Sequence, residues 1–270
     1  MTELNISLVL YNTNDDELQK LLESLALQKK INFKLLILDN SEESRSFRSY
    51  PFEIDYKKSP RNIGFGRAHN KNFERAEKNL HFLVINPDVY FDDSLLLRKL
   101  VDRSGPKTLS SVKILNPNGT TQEVHRLLPR FADIVRRFFF NKLGVYYPYK
   151  YTYTLSHIDR SKDFECPCIS GCFMLFAPGL YEETGGFDEG LFLYFEDVDL
   201  SRRCYYTSNG KNVVHGDLVI YHSWNRQGYK NLKMFKIHVL SAVYYFQKYG
   251  IFRDQYSKTV NMRIEALHKK

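Results

Sequence analysis

Three apolar runs limit what this chain can become. "LNISLVLY" (4–11), "FKLLILD" (33–39) and "HFLVIN" (81–86) each end in a continuous apolar stretch and stop at a polar residue. Runs without alternation suit strands covered on both faces. Pro87 has no N–H for a sheet ladder, so the third run must end beside it. Between the runs lie segments with helical spacing. In "DDELQKLLESLALQ" (15–28) leucine recurs at three and four residues, behind Thr13 or Asn14 as a cap. Further helices are expected at about 67–78, after a turn holding Gly64 and Gly66, and over "SLLLRKLV". "FEIDYKK" reads as a shorter strand. This alternation predicts an α/β fold with a parallel, doubly wound sheet. Ligands of such sheets bind beyond the carboxyl ends of the strands. Tyr11, Asn12, Asp39, Asn86 and Asp88 occupy those ends and are expected to line one crevice.

From about residue 108 the pattern changes. "LSSVKILNPNGTTQEVHR" predicts a hairpin turning at Pro117-Asn118-Gly119. Residues 126–160 have weak periodicity and many aromatics. A helix is expected from near Glu196 to Asn209-Gly210, then a strand over "NVVHGDLVIYH". Two basic amphipathic helices close the chain, at roughly 231–248 and 253–267.

Hydrophobic residues make up 43% and charged residues 26% of the 270, as in a soluble globular protein. No apolar run approaches the ~18 residues of a transmembrane helix. The N-terminus is acidic and strand-like, unlike a secretion signal, which points to a cytoplasmic address. Of the four cysteines, Cys166 and Cys168 have no matching second pair, so reduced structural thiols are expected rather than zinc. The formal net charge is +8, and ten Lys/Arg against two acids from Tyr221 onward account for all of it. Such a tail suits an anionic membrane, an acidic ligand or nucleic acid; without a nucleic-acid-binding signature, no nucleic-acid partner is expected.

Asp88 at a strand end and a distant His222 can together hold a divalent ion, with open positions for a diphosphate. Carboxylates at a helix start, as in Glu196-Asp197-x-Asp199, can supply a general base, though acids there also complement the helix dipole. "NIGFGRAHN" matches neither common phosphate-loop spacing.

The order of these segments is more specific than any one of them. "SLVLYN", "LLILDNS", "RNIGFGRAHN", "VINPDVYF", "ISGCFMLFAPGLYEETGGFDEGLFLYFEDVDLSRR" and "IYHSW" follow one another over residues 7–224. In that order the chain resembles the family 2 glycosyltransferases of the GT-A type, particularly bacterial rhamnosyltransferase-like members that build surface polysaccharides. "HVLSAVYYFQKYG" also resembles the helix such enzymes carry after the core.

The resemblance implies a Rossmann-like nucleotide-sugar half (1–105) merged with an acceptor half (106–224), followed by C-terminal helices (225–270). It implies transfer from a dTDP or UDP sugar with inversion, aided by Mn2+ or Mg2+. Tyr11, Asn12 and Asp39 match positions that hold the base and ribose, and Asn62 and Gly64 the loop beside the nucleotide. Asn86-Pro87-Asp88 matches the D-x-D position with its first acid replaced, leaving Asp88 as metal ligand and His222 to complete the site. Asp197 matches the catalytic base. Gly171, Cys172, Glu196 and Trp224 match the acceptor side, and Gly185–Glu189 the loop leading into it. Arg202 and Arg203 are expected to pair with the acids of their own helix. The acceptor is expected to be a glycan or a polyprenyl-diphosphate-linked sugar. The basic tail is expected at the inner membrane face or in a homodimer contact. The competing readings are a non-catalytic nucleotide-sugar binder of the same fold, a nucleotidyltransferase and a nucleic-acid-binding protein.

Overall fold

The apolar runs become strands because their side chains have no other place to go. In the computed structural model, which describes residues 3–132, 135, 152–223 and 232–268, every residue of β1 (Leu4–Leu10) is buried. β2 (Phe33–Asp39), β3 (Glu53–Lys58) and β4 (His81–Ile85) join it in parallel, in the order β3-β2-β1-β4. α1 (Asp15–Ala26) starts at Asn14, whose side chain accepts the Asp16 and Glu17 N–H groups, and three acids follow in its first turn. That start satisfies two otherwise orphaned donors and complements the dipole. α2 (Phe65–Arg75) begins two residues earlier than expected, and α3 is Leu96–Arg103.

The sheet then departs from a purely parallel plan. β5 (Val89–Tyr90), β6 (Leu109–Leu115), β7 (Phe164–Glu165), β8 (Phe173–Phe176) and β9 (Asn212–His222) extend it as β4-β8-β6-β9-β5, with β7 also on β9. β8 is antiparallel to both β4 and β6. Its beginning, not its end, therefore meets the end of β4, and the Asn86 N–H donates to the Cys172 carbonyl at 3.0 Å. One sheet thus carries elements from both halves.

The expected hairpin after β6 is only a turn. The Asn116 N–H donates to the Thr120 carbonyl at 2.7 Å, and one antiparallel bridge, Leu115 to Thr121, follows. The pairing stops after the Gln122 N–H donates to the Ile114 carbonyl at 2.9 Å, where Gln122 turns its side chain to Asn116 and His222. All four cysteines are buried and unpaired. Burial pushes the Cys166, Cys168 and Cys204 thiols up, which keeps them protonated and inert.

After the short α4 (Leu180–Glu183), α5 (Glu196–Thr207) packs against α6 (Leu232–Tyr249) and α7 (Gln255–His268). The contact is partly ionic. Asp199 is fully buried and takes Arg203 Nη2, Lys248 Nζ and the Tyr249 hydroxyl, each at 2.7 Å. Arg203 pairs within its helix as expected, but Arg202 does not. It turns to Asp254 before α7, with 2.8 Å between Nη2 and Oδ1, and stacks 3.9 Å from the Tyr249 ring centroid. The long arginine reaches a second acid and an aromatic face there, while Asp199 is already saturated. Replacing Asp199 by Ala leaves Arg203 without its acid and Lys248 with Asp188 alone, at 2.6 Å. The expected loss is about 2–3 kcal/mol of unfolding free energy, below the value for a fully buried pair because Arg203 and Lys248 stay partly open. Urea denaturation of Asp199→Ala measures it.

Candidate active site

The strand ends and the start of β8 converge. At the β1 end Tyr11 is exposed, and Asn12 has φ 48°, with its N–H donating to Ser41 Oγ at 2.9 Å. Asp39 at the β2 end is fully buried, and both of its oxygens are engaged. The Ser41 N–H donates to Oδ1 at 2.9 Å and the Tyr56 hydroxyl to Oδ2 at 3.1 Å, with Arg45 Nε 3.9 Å away. A cleft of about 640 Å3 opens beside Asp39, between α1 and the loop after β2, lined by Asn12, Ser41, Arg45, Arg48 and Tyr50 among others.

The Asn62–Gly64 turn lies beside the β2 end. Asn62 Oδ1 accepts the Gly64 N–H at 2.9 Å, and the Asn40 amide holds Ile63 and Gly64. Gly64 is also required by its own backbone and its neighbour. Its φ is +91°, and a Cβ there would lie 2.6 Å from the Phe192 carbonyl oxygen. The acceptor half fills that space.

At the β4 end, His222 Nε2 faces Asp88 Oδ1 at 3.3 Å. The imidazole is oriented by a residue that the sequence did not single out. Gln122 Nε2 donates to the His222 carbonyl at 2.7 Å and to Asn116 Oδ1, so its Oε1, 2.9 Å from His222 Nδ1, must accept a proton from that nitrogen. In the neutral ring Nε2 then aims a lone pair at a carboxylate. Two acceptors in that position call for a proton or a cation between them. Burial opposes a charged imidazole, but the Cys172 sulfur and the Asp88 carboxylate lift its titration to about 10. Asn86 Oδ1, Asp88 Oδ1 and His222 Nε2 are all buried without a hydrogen-bond partner. With the proton gone from His222 Nε2 this becomes an all-acceptor set, which fits a divalent cation. Among the described residues no three His, Cys, Asp or Glu side chains cluster as a complete cage. Ligand oxygens would have to fill the remaining positions, as magnesium and manganese commonly require. Glu17 of α1, also unforeseen, is raised by its burial and by Asp88.

The third group sits at the start of α5. The Gly171 N–H donates to Asp197 Oδ2 at 3.2 Å, and a Cβ on Gly171 would lie 3.1 Å from Asp197 Cβ. Glu196 is buried, with one carboxyl oxygen unpartnered. Burial first, and then the neighbouring Asp197, push it up to about 8. Glu196 therefore keeps its proton at neutral pH and is poorly placed to contact an acceptor from solvent. Tyr194 and Phe195, just before the helix, have φ 69° and 68°. Such conformations cost about 1–3 kcal/mol each. Here the packing of Phe195 on Tyr245 and Phe246 of α6 holds them. Arg126, raised in part by Asp197, is another unpredicted neighbour of this carboxylate. Cys172, expected on the acceptor side, lies instead between His222 and the β4 end. Trp224 lies outside the described residues.

The chain matches the model of Glycosyl transferase family 2 over residues 6–185. It is 25% identical over 204 residues to the N-acetylglucosaminyl-diphospho-decaprenol L-rhamnosyltransferase of Mycobacterium tuberculosis, a match over 69% of this chain and 65% of that protein. It is 24% identical over 208 residues to rhamnosyltransferase WbbL of Escherichia coli K12, covering 73% of this chain and 75% of WbbL. The mannosyltransferase PcManGT of Pyrobaculum calidifontis, solved with GDP-Man and Mn2+, superposes with a TM-score of 0.57 at 14% identity, over 89% of this chain and 64% of that one. With two thirds of its residues inside the family model, the chain belongs to glycosyl transferase family 2, with a GT-A fold and rhamnosyltransferases among its relatives.

Proposed function

We propose that the protein transfers rhamnose or a hexose from a dTDP or UDP sugar to a glycan or polyprenyl-diphosphate-linked acceptor, with inversion at the anomeric carbon, in surface polysaccharide synthesis. One observation carries the reading: Asp88, just past the end of β4, faces His222 at the end of β9, while a separate carboxylate, Asp197 at the start of α5, accepts the N–H of Gly171 just before β8, and the Asn86–Cys172 bond joins these two places. A displacement at carbon needs these two functions apart, one toward the leaving diphosphate and one toward the attacking hydroxyl. The names of the mycobacterial and Escherichia coli relatives support rhamnose transfer, the mycobacterial one also a lipid-linked diphosphate acceptor, and the GDP-Man bound by PcManGT supports a sugar nucleotide donor.

In this reading Tyr11 and Asn12 receive the nucleoside beside the Asp39 network, and the Asn62–Gly64 turn shapes the crevice edge. Asp88 and His222, with Asn86 beside them, would hold Mn2+ or Mg2+, which would offset charge on the diphosphate. Asp197 accepts the proton of the acceptor hydroxyl. Its orientation is fixed by the Gly171 N–H, and the neighbouring Glu196 is pushed up by burial to about 8. Gly171 is the acceptor-side residue closest to the base; Cys172 backs His222.

Asp197→Asn removes the proton acceptor and keeps the shape. Transfer should fall by about 100- to 10,000-fold, while calorimetric donor affinity stays within twofold or so. Near-normal turnover would move the base elsewhere and favour a binding protein of the same fold. Asp88→Ala and Gln122→Leu address the cation. Mn2+ affinity, read by paramagnetic resonance on the free protein, should be lost in the first and weakened by about 10- to 100-fold in the second.

Glu196 also makes a stability prediction. Its folded value of about 8 exceeds its ordinary 4.5. Its contribution is therefore complete below pH 4.5 and is lost as pH rises toward 8. Glu196→Gln should flatten the pH dependence of unfolding across that window relative to wild type.

A further inference from the structure

α6 is apolar on two opposite sides. Its inner side buries Ser241, Tyr245 and Phe246 against the core. Its outer side exposes Leu232, Phe235, Val239, Leu240 and Val243, at successive spacings of three, four, one and three residues, which follow one helical stripe. Phe252, in the turn that follows, is 86% exposed. A helix apolar all round has a second partner to find.

Charge and area select among partners. From Tyr221 to Arg253 the chain holds no Asp or Glu, while Lys233 and Lys236 lie among the exposed apolar residues. A second copy placed on this face by a two-fold axis would set lysine against lysine. The helix is 18 residues long, about 27 Å at 1.5 Å per residue. One helix face of that length offers on the order of 300 Å2, well under the ~800 Å2 per partner of a stable protein interface. An interfacial helix needs no more than such a strip. It sinks its apolar side into the headgroup boundary and leaves cations at the phosphate level. No described helix is long and apolar enough to cross a membrane, so the contact this face can make is in the plane of the surface.

We propose that the outer face of α6 docks on a bilayer surface rich in anionic lipid. The same helix clamps α5 through Lys248 and Tyr249, so docking would set the start of α5, and Asp197 with it, beside the membrane surface. The proposal does not depend on the transferase reading, because vesicle binding is measured without turnover.

Flotation of the full chain with phosphatidylcholine vesicles, with and without phosphatidylglycerol, tests it. The protein should float only with the anionic vesicles, and high salt should release it. Lys233→Gln together with Lys236→Gln should weaken partitioning by about thirtyfold. Leu240→Ser with Val243→Ser should abolish flotation, and since both sites are exposed the thermal midpoint should not move. Equal recovery with neutral lipid, or no effect of either pair, overturns the proposal. So does a dimer in light scattering that Leu240→Ser/Val243→Ser dissolves in a protein that never floats.

Discussion

Asn86 gives its N–H to the Cys172 carbonyl at 3.0 Å, at the point where β4 ends and β8 begins. The neighbours of each partner are then placed without further adjustment. On one side lies Asp88, two residues on. On the other lies Gly171, whose N–H meets Asp197. A backbone hydrogen bond contributes only about 1 kcal/mol net, but this one belongs to a ladder of pairs along β4 and β8, and moving it would mean moving the ladder. The two chemical functions are thus spaced by the sheet rather than by flexible loops.

The first half of this arrangement was legible because its signals are local. Continuous apolar runs ending in polar residues fix strand ends, and Asn14 with its following acids fixes a helix start. The antiparallel insertion of β8 was not legible, because "FMLF" reads the same in either direction and only its neighbours decide. The same limit applies to Gln122. It orients His222 across the fold, and nothing near it in sequence says so. Gly64 is a further case: its place in the loop was read from the motif, but the Phe192 carbonyl that crowds it arrives from a distant segment. Asp88 and His222 were paired from the order of motifs, and their side chains do face each other.

Charge placement followed the same division. Arg203 found its acid one turn away, as helix geometry allows. Arg202 had the same local choice and went instead to Asp254, where it gains a bidentate contact and an aromatic face. The acid left for Arg203, Asp199, then binds Lys248 and Tyr249 as well, and the strained Tyr194-Phe195 step is held by packing from the same helix. Cations of the tail that looked like a solvated run are in part structural counterions.

The clamp between α5 and α6 bears on how such enzymes can be recombined. The family model ends at residue 185, before Asp197, His222 and the clamp. A chimera joined at that boundary takes α5 and everything after it from one parent. The buried Asp199 makes α5 and α6 one cassette, so they must be inherited together. A change at Lys248 or Tyr249 is correspondingly felt at Asp199, two residues from Asp197, so the tail is a structural part of that end of the sheet rather than an appendage to it.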